Sequence, residues 1–215
     1  MTAPGQFSRP RVASADLRIP PANPGEAIAL FGGSFNPPHS GHRHVADVAM
    51  RRLGVSRVWW MVTPANPLKS EDGLAPLGSR LAWTRDVADH PRMVVTAFEA
   101  AVGTRFSADT LTLLKRRFPA TRFVFVIGAD NLATLHHWME WRRIMVTFPL
   151  AVIDRPGASL SALSSPAALA FARYRQPEHQ AKRLARAEAP AWVFLHAPLE
   201  PTSSTALRGA GQPLS

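Results

Sequence analysis

Cysteine is absent from the 215 residues, and the longest apolar runs are short. Without cysteine the chain can form no disulfide, no thiolate nucleophile and no cysteine-ligated metal site. No apolar run approaches the roughly 20 residues that a membrane-spanning helix needs, so we expect no membrane partner. The N-terminal stretch also lacks the continuous apolar segment of a signal peptide. A cytoplasmic location is the simplest interpretation of these absences.

Lysine is scarce relative to arginine. The formal net charge is +10, and only three of the 25 basic residues are lysine. A net positive charge is typical of proteins that bind nucleic acid or phosphorylated small molecules. The preference for arginine, together with heavy use of alanine and proline, is also what genome composition produces. We therefore give the charge little weight and expect no nucleic-acid partner.

Prolines and short apolar runs divide the chain into segments. Residues 1–26 are rich in proline and lack apolar periodicity, so we expect a flexible tail before a single domain at 27–215. Within that domain, apolar runs of strand length alternate with segments of helical periodicity. This alternation predicts an α/β fold, a doubly wound parallel sheet with helices on both faces. The expected strands are 27–33, 57–64, 92–98, 122–130, 147–157 and 191–197, and the expected helices are 39–53, 78–90, 107–119, parts of 131–144 and 158–190, and 203–211.

In such a sheet, ligands lie beyond the carboxyl ends of the strands. The stretch GGSFNPPHSGH (32–42) follows the first expected strand. Gly32 and Gly33 allow a sharp turn and a close approach of the backbone to a ligand. His39 and His42 share one face of the first turn of the next helix, whose N-terminal N–H groups attract anions. The stretch therefore predicts a phosphate clamp, in which both imidazoles donate hydrogen bonds to a phosphoryl group.

A zinc site is the alternative for these histidines. His39, His42 and His44 could supply three nitrogen ligands to one metal ion. No carboxylate accompanies them within the motif, so we predict no metal ligand in this chain.

Four later stretches complete a pattern: TPANPLK (63–69), RFSADTL (105–111), IGADNLATLHHWMEW (127–141) and SSTALR (203–208). In order and spacing, all five stretches resemble those of the nucleotidyltransferases with an H-x-G-H motif. Within that superfamily, the sequence is similar to the nicotinate mononucleotide adenylyltransferases of bacterial NAD synthesis. The resemblance covers roughly residues 27–210.

The resemblance implies a Rossmann-like fold of the nucleotidyltransferase type. It also implies adenylyl transfer from ATP to nicotinate mononucleotide, which gives nicotinate adenine dinucleotide and pyrophosphate. Mg²⁺ would arrive with ATP, held largely by phosphate oxygens and water. ATP and nicotinate mononucleotide are therefore the expected partners, and no oligomeric state is predicted.

The resemblance also assigns roles to single residues. The catalytic residues would be His39, His42 and Lys69. The ATP-binding residues would be Gly32, Gly33, Ser34, Phe35, His39, His42, Gly128, Asp130, Ser204, Thr205 and Arg208. The residues that bind nicotinate mononucleotide would be Asn36, Lys69, Thr110 and Trp138.

The sequence departs from the commoner family pattern at three places. Asn36 stands where many members have aspartate, and Arg105 with Phe106 replaces a commoner Ser-Tyr pair. Met139 follows Trp138 where a second aromatic residue can occur. The expected pocket for the pyridine ring therefore depends mainly on Trp138.

Several of these residues have an ordinary structural interpretation as well. Lys69 could be a solvated loop lysine, Asp130 a helix N-cap residue and Trp138 a core tryptophan. The SSTALR stretch could be a helix cap followed by a surface arginine.

Other functions stay open at this point. Phosphopantetheine adenylyltransferase has a related H-x-G-H loop, and an enzyme that prefers nicotinamide mononucleotide would carry the same motifs. A non-catalytic protein that binds nucleotides or nucleic acid is the alternative from another class. That alternative predicts salt-sensitive binding of polyanions and no turnover. The presence of His39 and His42 together with SSTALR favours the enzyme.

Overall fold

The computed structural model describes residues 11–64, 73–198, 200, 202, 204 and 207. Across these residues, six strands form one sheet in the order β3-β2-β1-β4-β5-β6, and all neighbouring strands run parallel. The strands are β1 (Ala27–Gly33), β2 (Arg57–Val62), β3 (Met93–Thr96), β4 (Arg122–Gly128), β5 (Leu150–Ile153) and β6 (Trp192–Leu195). The predicted α/β fold with a doubly wound parallel sheet is confirmed.

Helices connect the strands. They are α1 (Ser40–Arg52), α2 (Leu77–Val87), α3 (Phe98–Val102), α4 (Ser107–Arg117), α5 (Ala129–Thr134), α6 (Trp141–Thr147), α7 (Ser159–Leu163) and α8 (Pro166–Ala170), with 3₁₀ helices at Leu135–His137, Ala172–Tyr174 and Glu178–Arg186. Within the described ranges, no helix is long and apolar enough to cross a membrane.

The central strand β1 shows why both faces of the sheet are covered. Ala29 and Phe31 pack into one buried cluster with apolar residues of α1. Ile28 and Leu30 pack into a second cluster with apolar residues of α4. All four are at most 4% exposed. Since successive side chains of a strand point to opposite faces, a strand that is apolar at every position needs helices on both sides.

The chain order reverses at β1. From β1 the chain runs outward through β2 to β3, and it then returns to β4 on the other side of β1. The connections after β1 and β4 therefore diverge, which opens a crevice at the carboxyl ends of these two strands.

The largest difference from the expected elements follows β3. The expected strand 92–98 ends at Thr96, and α3 begins almost at once. The Thr96 hydroxyl accepts a hydrogen bond from the Phe98 N–H at 3.2 Å, which satisfies a backbone donor at the start of this helix. Gly103, with a left-handed φ of 71°, ends the helix.

The described part of the N-terminal segment, residues 11–26, packs against the domain. The Asp16 carboxylate pairs with Arg85 of α2. The Arg57 guanidinium binds the Glu26 carboxylate at 2.7 Å, and this hydrogen bond lowers the pKa of that carboxyl to about 2. From residue 11 onward these contacts differ from the expected flexible tail. The division into a tail and one domain stays a prediction.

Candidate active site

The loops that follow β1 and β5 meet the segment after β6 beside the crevice. Gly41, in the first turn of α1, shows how closely they approach. A Cβ atom at Gly41 would lie 2.6 Å from Arg155 Nη1, 2.8 Å from the Thr202 carbonyl oxygen and 2.9 Å from His39 Nδ1. No side chain fits there, so glycine at this position allows three segments to come together.

The loop between β1 and α1 supports its histidines with an aromatic ring. Gly32 and Gly33 end β1 and pair with β2. Phe35 follows with a left-handed φ of 45° and is 1% exposed. Its ring stands edge-on to His42, with the ring centroids 5.0 Å apart. Phe35 was expected to bind ATP, which stays a prediction; in the structure its side chain lies in the core and packs against His42.

His39 and His42 share one face of α1, as their spacing predicts. Their ring centroids lie 3.8 Å apart, and the backbone N–H of His42 donates to the His39 carbonyl at 2.9 Å. His39 occupies the N-cap position of α1 and is 6% exposed. Burial lowers the pKa of its imidazole to about 4, and the positive charge of Arg155 adds to this effect. His39 is therefore uncharged at neutral pH.

Arg155 is a residue of this site that the sequence interpretation missed. Its Nη2 donates to the Thr202 carbonyl at 3.2 Å. The aliphatic part of its side chain lies beside Gly128, because a Cβ atom added to Gly128 would be 3.3 Å from Arg155 Cγ. The sequence interpretation placed it inside a strand at 147–157, whereas β5 ends at Ile153. The Pro-Gly pair directly after Arg155 is the signal that could have marked this position as a loop after a strand.

Gly128 and Asp130 lie where the prediction put them, at the end of β4. Gly128 is the last residue of the strand, and the Asp130 carboxylate turns back into the space that a Cβ atom of Gly128 would fill. Gly128, rather than Asp130, occupies the N-cap position of α5. The Asp130 side chain is exposed beside the crevice.

The segment after β6 reaches the start of α1. The Ser204 hydroxyl donates to the Pro37 carbonyl at 2.9 Å. The Ser40 hydroxyl donates to the Glu200 carboxylate at 2.9 Å, and the Thr202 hydroxyl donates to the same carboxylate at 2.6 Å. Ser204 therefore lies next to the β1–α1 loop, on the side where phosphate binding is predicted.

Three predicted site residues, Lys69, Thr205 and Arg208, lie outside the described residues. Their roles stay predictions. In the part of the chain that the structure describes, no group of three histidine, aspartate or glutamate side chains could hold a metal ion. His39, His42 and His44 therefore form no zinc site there.

Asn36 and Ser34 connect the β1–α1 loop to neighbouring backbone. The Asn36 side-chain N–H donates to the Gly73 carbonyl at 2.9 Å, and its side-chain oxygen accepts the Ala75 N–H at 3.1 Å. The Ser34 carbonyl accepts a hydrogen bond from Arg80 at 2.7 Å. Asn36 was expected to bind substrate, and this stays a prediction. The structure shows that its side chain, 8% exposed, joins two loops.

Thr110 is buried away from solvent, and its predicted contact with substrate stays a prediction. It is 1% exposed, its hydroxyl donates to the Glu99 carboxylate at 2.7 Å, and the Thr104 hydroxyl lies 3.0 Å away. Burial raises the pKa of the Glu99 carboxyl to about 7, although the Thr110 hydrogen bond acts in the opposite direction. The Thr110 hydroxyl thus serves the interior of the fold.

Trp138 follows the 3₁₀ helix Leu135–His137, and its backbone N–H donates to the Leu135 carbonyl at 2.9 Å. Its side chain is half-buried and packs against the second buried cluster. Trp138 is therefore partly a core residue, and the rest of its surface is accessible to solvent. Stacking of its ring on a ligand stays a prediction.

Comparison with known proteins agrees with this geometry. A family model described as cytidylyltransferase-like matches residues 30–210. A protein named "Probable nicotinate-nucleotide adenylyltransferase" from Rhizobium meliloti (strain 1021) is 55% identical over 184 residues, which are 86% of this chain and 98% of that protein. A protein of the same name from Mesorhizobium japonicum is 54% identical over 190 residues, which are 88% of this chain and 97% of that protein.

A solved structure with a similar fold is that of Plasmodium falciparum nicotinic acid mononucleotide adenylyltransferase complexed with NaAD. Its TM-score is 0.63 at 16% identity, and the match covers 86% of this chain and 83% of that chain. At this identity the likeness concerns the fold alone, and it confirms the Rossmann-like nucleotidyltransferase architecture. Together with identities above 50% over most of both chains, these findings show that the chain belongs to the cytidylyltransferase-like proteins and, among them, to the nicotinate-nucleotide adenylyltransferase family.

Proposed function

We propose that this chain transfers the adenylyl group of ATP to nicotinate mononucleotide, releasing nicotinate adenine dinucleotide and pyrophosphate, as a step of NAD biosynthesis. The observation that carries the proposal is the gathering of His39, His42 and Arg155 at the start of α1. Two imidazoles, a guanidinium and the N-terminal N–H groups of a helix together suit a phosphate group.

The reaction is a single in-line displacement. A 5′-phosphate oxygen of nicotinate mononucleotide attacks the α-phosphorus of ATP and forms a new P–O bond. The bond from the α-phosphorus to the oxygen that bridges to the β-phosphate breaks, and its electron pair leaves with pyrophosphate. A phosphate monoester is largely ionised at neutral pH, so the reaction needs no general base and no covalent intermediate. Positioning and charge stabilisation supply the catalysis.

The two histidines have related parts in this proposal. His42 would donate a hydrogen bond to the α-phosphate oxygen on which charge develops. His39 would donate through the one N–H of its neutral ring, since burial lowers its pKa to about 4. Arg155 would supply the fixed positive charge beside them. The edge-on contact of Phe35 with His42 supports this assignment because it restricts the orientation of the His42 ring.

The other nucleotide contacts follow the loops around the crevice. The backbone of Gly32, Gly33 and Ser34 would border the phosphates. Gly128 would let the nucleotide approach the end of β4, and Asp130 would accept hydrogen bonds from ribose hydroxyls.

In this proposal the segment after β6 binds the outer phosphates of ATP. Ser204, Thr205 and Arg208 would hold them with hydroxyls and a guanidinium. Lys69 would add positive charge near the reacting phosphates. The support for this arrangement among the described residues is the hydrogen bond from Ser204 to the Pro37 carbonyl, which holds Ser204 at the β1–α1 loop.

Mg²⁺ bound to the triphosphate would neutralise charge on the phosphate oxygens and on the leaving pyrophosphate. Single carboxylates, Asp130 and Glu200, lie around the site. The described residues contain no group of three ligands. This donor set fits a cation that is held largely by phosphate oxygens and water.

Binding of the acceptor substrate, nicotinate mononucleotide, would depend chiefly on Trp138. Its ring would stack on the pyridine ring of nicotinate mononucleotide, a contact worth about 0.5–1.5 kcal/mol beyond burial. Asn36 would act indirectly, through its hydrogen bonds to the Gly73 carbonyl and the Ala75 N–H.

The test is a pyrophosphate-release assay with ATP, Mg²⁺ and one of three acceptors: nicotinate mononucleotide, nicotinamide mononucleotide or phosphopantetheine. We expect the highest kcat/KM with nicotinate mononucleotide. Equal or better turnover of the amide would reassign the substrate, and activity with phosphopantetheine alone would assign a different reaction. Salt-sensitive polyanion binding without pyrophosphate release would instead support a non-catalytic binding protein.

A cytoplasmic location and one catalytic domain at 27–215 are part of the same proposal. Residues 1–26 would then contribute to stability and little to catalysis, because the described residues 11–26 form their ion pairs with Arg57 and Arg85. Deleting them should lower the thermal midpoint and leave turnover nearly intact.

A further inference from the structure

Arg80 of α2 is a buried cation that the proposed reaction does not use. Its side chain is 1% exposed. Burial lowers the pKa of the guanidinium to about 10, so the group stays charged at neutral pH. Among the described residues, no carboxylate lies within ion-pair distance of it. A buried charge is costly unless hydrogen bonds or an opposite charge compensate for it, and hydrogen bonds surround this one.

Four backbone carbonyls surround the guanidinium. Its Nε donates to Ala75 at 2.9 Å, its Nη1 donates to Ser34 and Thr63 at 2.7 Å each, and its Nη2 donates to Pro64 at 2.8 Å. The dipoles of these carbonyls take the part of a counterion. A planar guanidinium with five N–H donors can reach partners in several directions, which the three donors of a lysine ammonium cannot do from one point.

The four carbonyls come from three segments at the carboxyl edge of the sheet. Ser34 belongs to the β1–α1 loop, five residues before His39. Thr63 and Pro64 follow β2, and Ala75 precedes α2. One side chain thus fixes the relative positions of three segments, and one of them carries both histidines of the site.

We infer that Arg80 is a positioning residue for adenylyl transfer, an inference that rests on the proposed function. Arg80 holds the Ser34 carbonyl against the segment after β2 and so sets the path of the loop that presents His39 and His42. A shift of reacting groups by about 1 Å can cost roughly 10²-fold in rate. Since all four bonds go to the protein backbone, their loss should lower turnover more than it weakens ATP binding.

The experiment compares Arg80→Lys and Arg80→Gln with the wild type in kcat, KM for ATP and thermal unfolding. We expect both variants to unfold cooperatively above the assay temperature, with kcat at least about tenfold lower and a smaller change in KM. Arg80→Lys should retain more activity, because it keeps the charge. Arg85→Gln is the matched control on the same helix, since the Arg85 side chain is 47% exposed and pairs with Asp16. Its turnover should equal that of the wild type.

Every other outcome overturns the inference. Folded Arg80 variants with wild-type kcat would remove any positioning role, and a selective loss of ATP affinity would make Arg80 a binding charge. Absence of a cooperative transition in both variants would show that Arg80 serves folding alone. A wild type without adenylyl transfer would reject the proposed function and this inference together, whereas active variants beside an active wild type reject the inference only.

Discussion

At the start of α1, the side chains predicted to form the site contact one another. At the start of α4, the side chain predicted for the site forms a buried hydrogen bond with a residue outside the prediction. His39 and His42 lie 3.8 Å apart between ring centroids. Thr110 of α4, whose predicted contact with substrate is untested, donates to Glu99. Both regions follow strands of the same sheet, and both contain an ionisable side chain that is almost excluded from solvent.

The pKa shifts of the two regions show what separates them. Burial lowers the pKa of the His39 imidazole and raises that of the Glu99 carboxyl, so it favours the uncharged form in both. Beside His39, Arg155 supplies a positive charge, whose effect on the His39 pKa exceeds the opposite effect of the Glu200 carboxylate. Glu99 instead accepts a hydrogen bond from the Thr110 hydroxyl, which also contacts the Thr104 hydroxyl. The first region therefore suits an anionic ligand, and the second stabilises the chain itself.

The largest expected effect tests the α1 region as a site of catalysis. His42 is proposed to meet charge that develops on the α-phosphate, so its loss should act on the transition state. We expect His42→Ala to lower kcat by about 10²–10³-fold, with little change in KM for ATP. His179→Ala, at an exposed histidine of the 3₁₀ helix Glu178–Arg186, is the control. A folded His42→Ala variant with normal kcat and weaker ATP affinity would contradict this account.

A second prediction concerns the positive charge that distinguishes the α1 region. Arg155→Ala should raise KM for ATP by about 10- to 100-fold, as expected for losing a charge-assisted hydrogen bond to a phosphate. The same change should raise the pKa of His39, because Arg155 now adds to its lowering. NMR titration of the histidine resonances measures this shift. Arg183→Ala, at an exposed arginine, should change neither quantity. An unchanged KM would show that Arg155 only holds the Thr202 carbonyl.

The positions of His39 and His42 could be predicted from the sequence because the constraints on them are local. Two glycines at the end of β1 and the three-residue spacing of His39 and His42 determine how the loop turns and which face the rings share. The order of strands and helices is local in the same sense, since each element is visible in a short window. These features predicted the sheet and the positions of the two histidines.

Contacts between distant segments account for what the sequence did not show. An arginine in a helix is usually expected at the surface. Arg80 is buried because it meets carbonyls 17 and 46 residues away. Thr110 is buried together with Glu99, eleven residues earlier, which accepts a hydrogen bond from its hydroxyl. Only the packing of α2, α3 and α4 against the sheet brings these groups together.

A third prediction, with a smaller expected effect, tests whether Trp138 contacts nicotinate mononucleotide directly. If Trp138 stacks on the pyridine ring, Trp138→Ala should raise KM for nicotinate mononucleotide by about 2- to 10-fold and leave KM for ATP unchanged. Trp138→Phe keeps an aromatic ring and should stay close to the wild type. Thermal unfolding of both variants measures the loss of core packing separately. Reduced stability with an unchanged KM would make Trp138 a core residue.

The smallest expected effect on activity concerns Glu99. Its pKa is about 7 in the folded protein, above the ordinary value of 4.5. Between these values the folded chain binds more protons than the unfolded chain, so the free energy of unfolding falls as the pH rises. The stabilisation by protonated Glu99 is complete below pH 4.5 and lost above pH 7. A shift of this size corresponds to about 3 kcal/mol.

Glu99→Gln keeps the shape of the side chain but cannot ionise, so its stability relative to the wild type should increase with pH. Urea unfolding at pH 5 and pH 8 should show a relative gain of up to about 3 kcal/mol for the variant, with kcat unchanged. Thr110→Val removes a hydrogen bond that lowers the Glu99 pKa, so it should extend the wild-type transition to higher pH. Thr112→Val is the matched control, because the Thr112 hydroxyl donates to the Ala108 carbonyl of its own helix at 2.7 Å. Parallel stability curves for wild type and Glu99→Gln would show that Glu99 does not titrate in this range. A large loss of kcat would place the start of α4 in the active site and remove the contrast with α1.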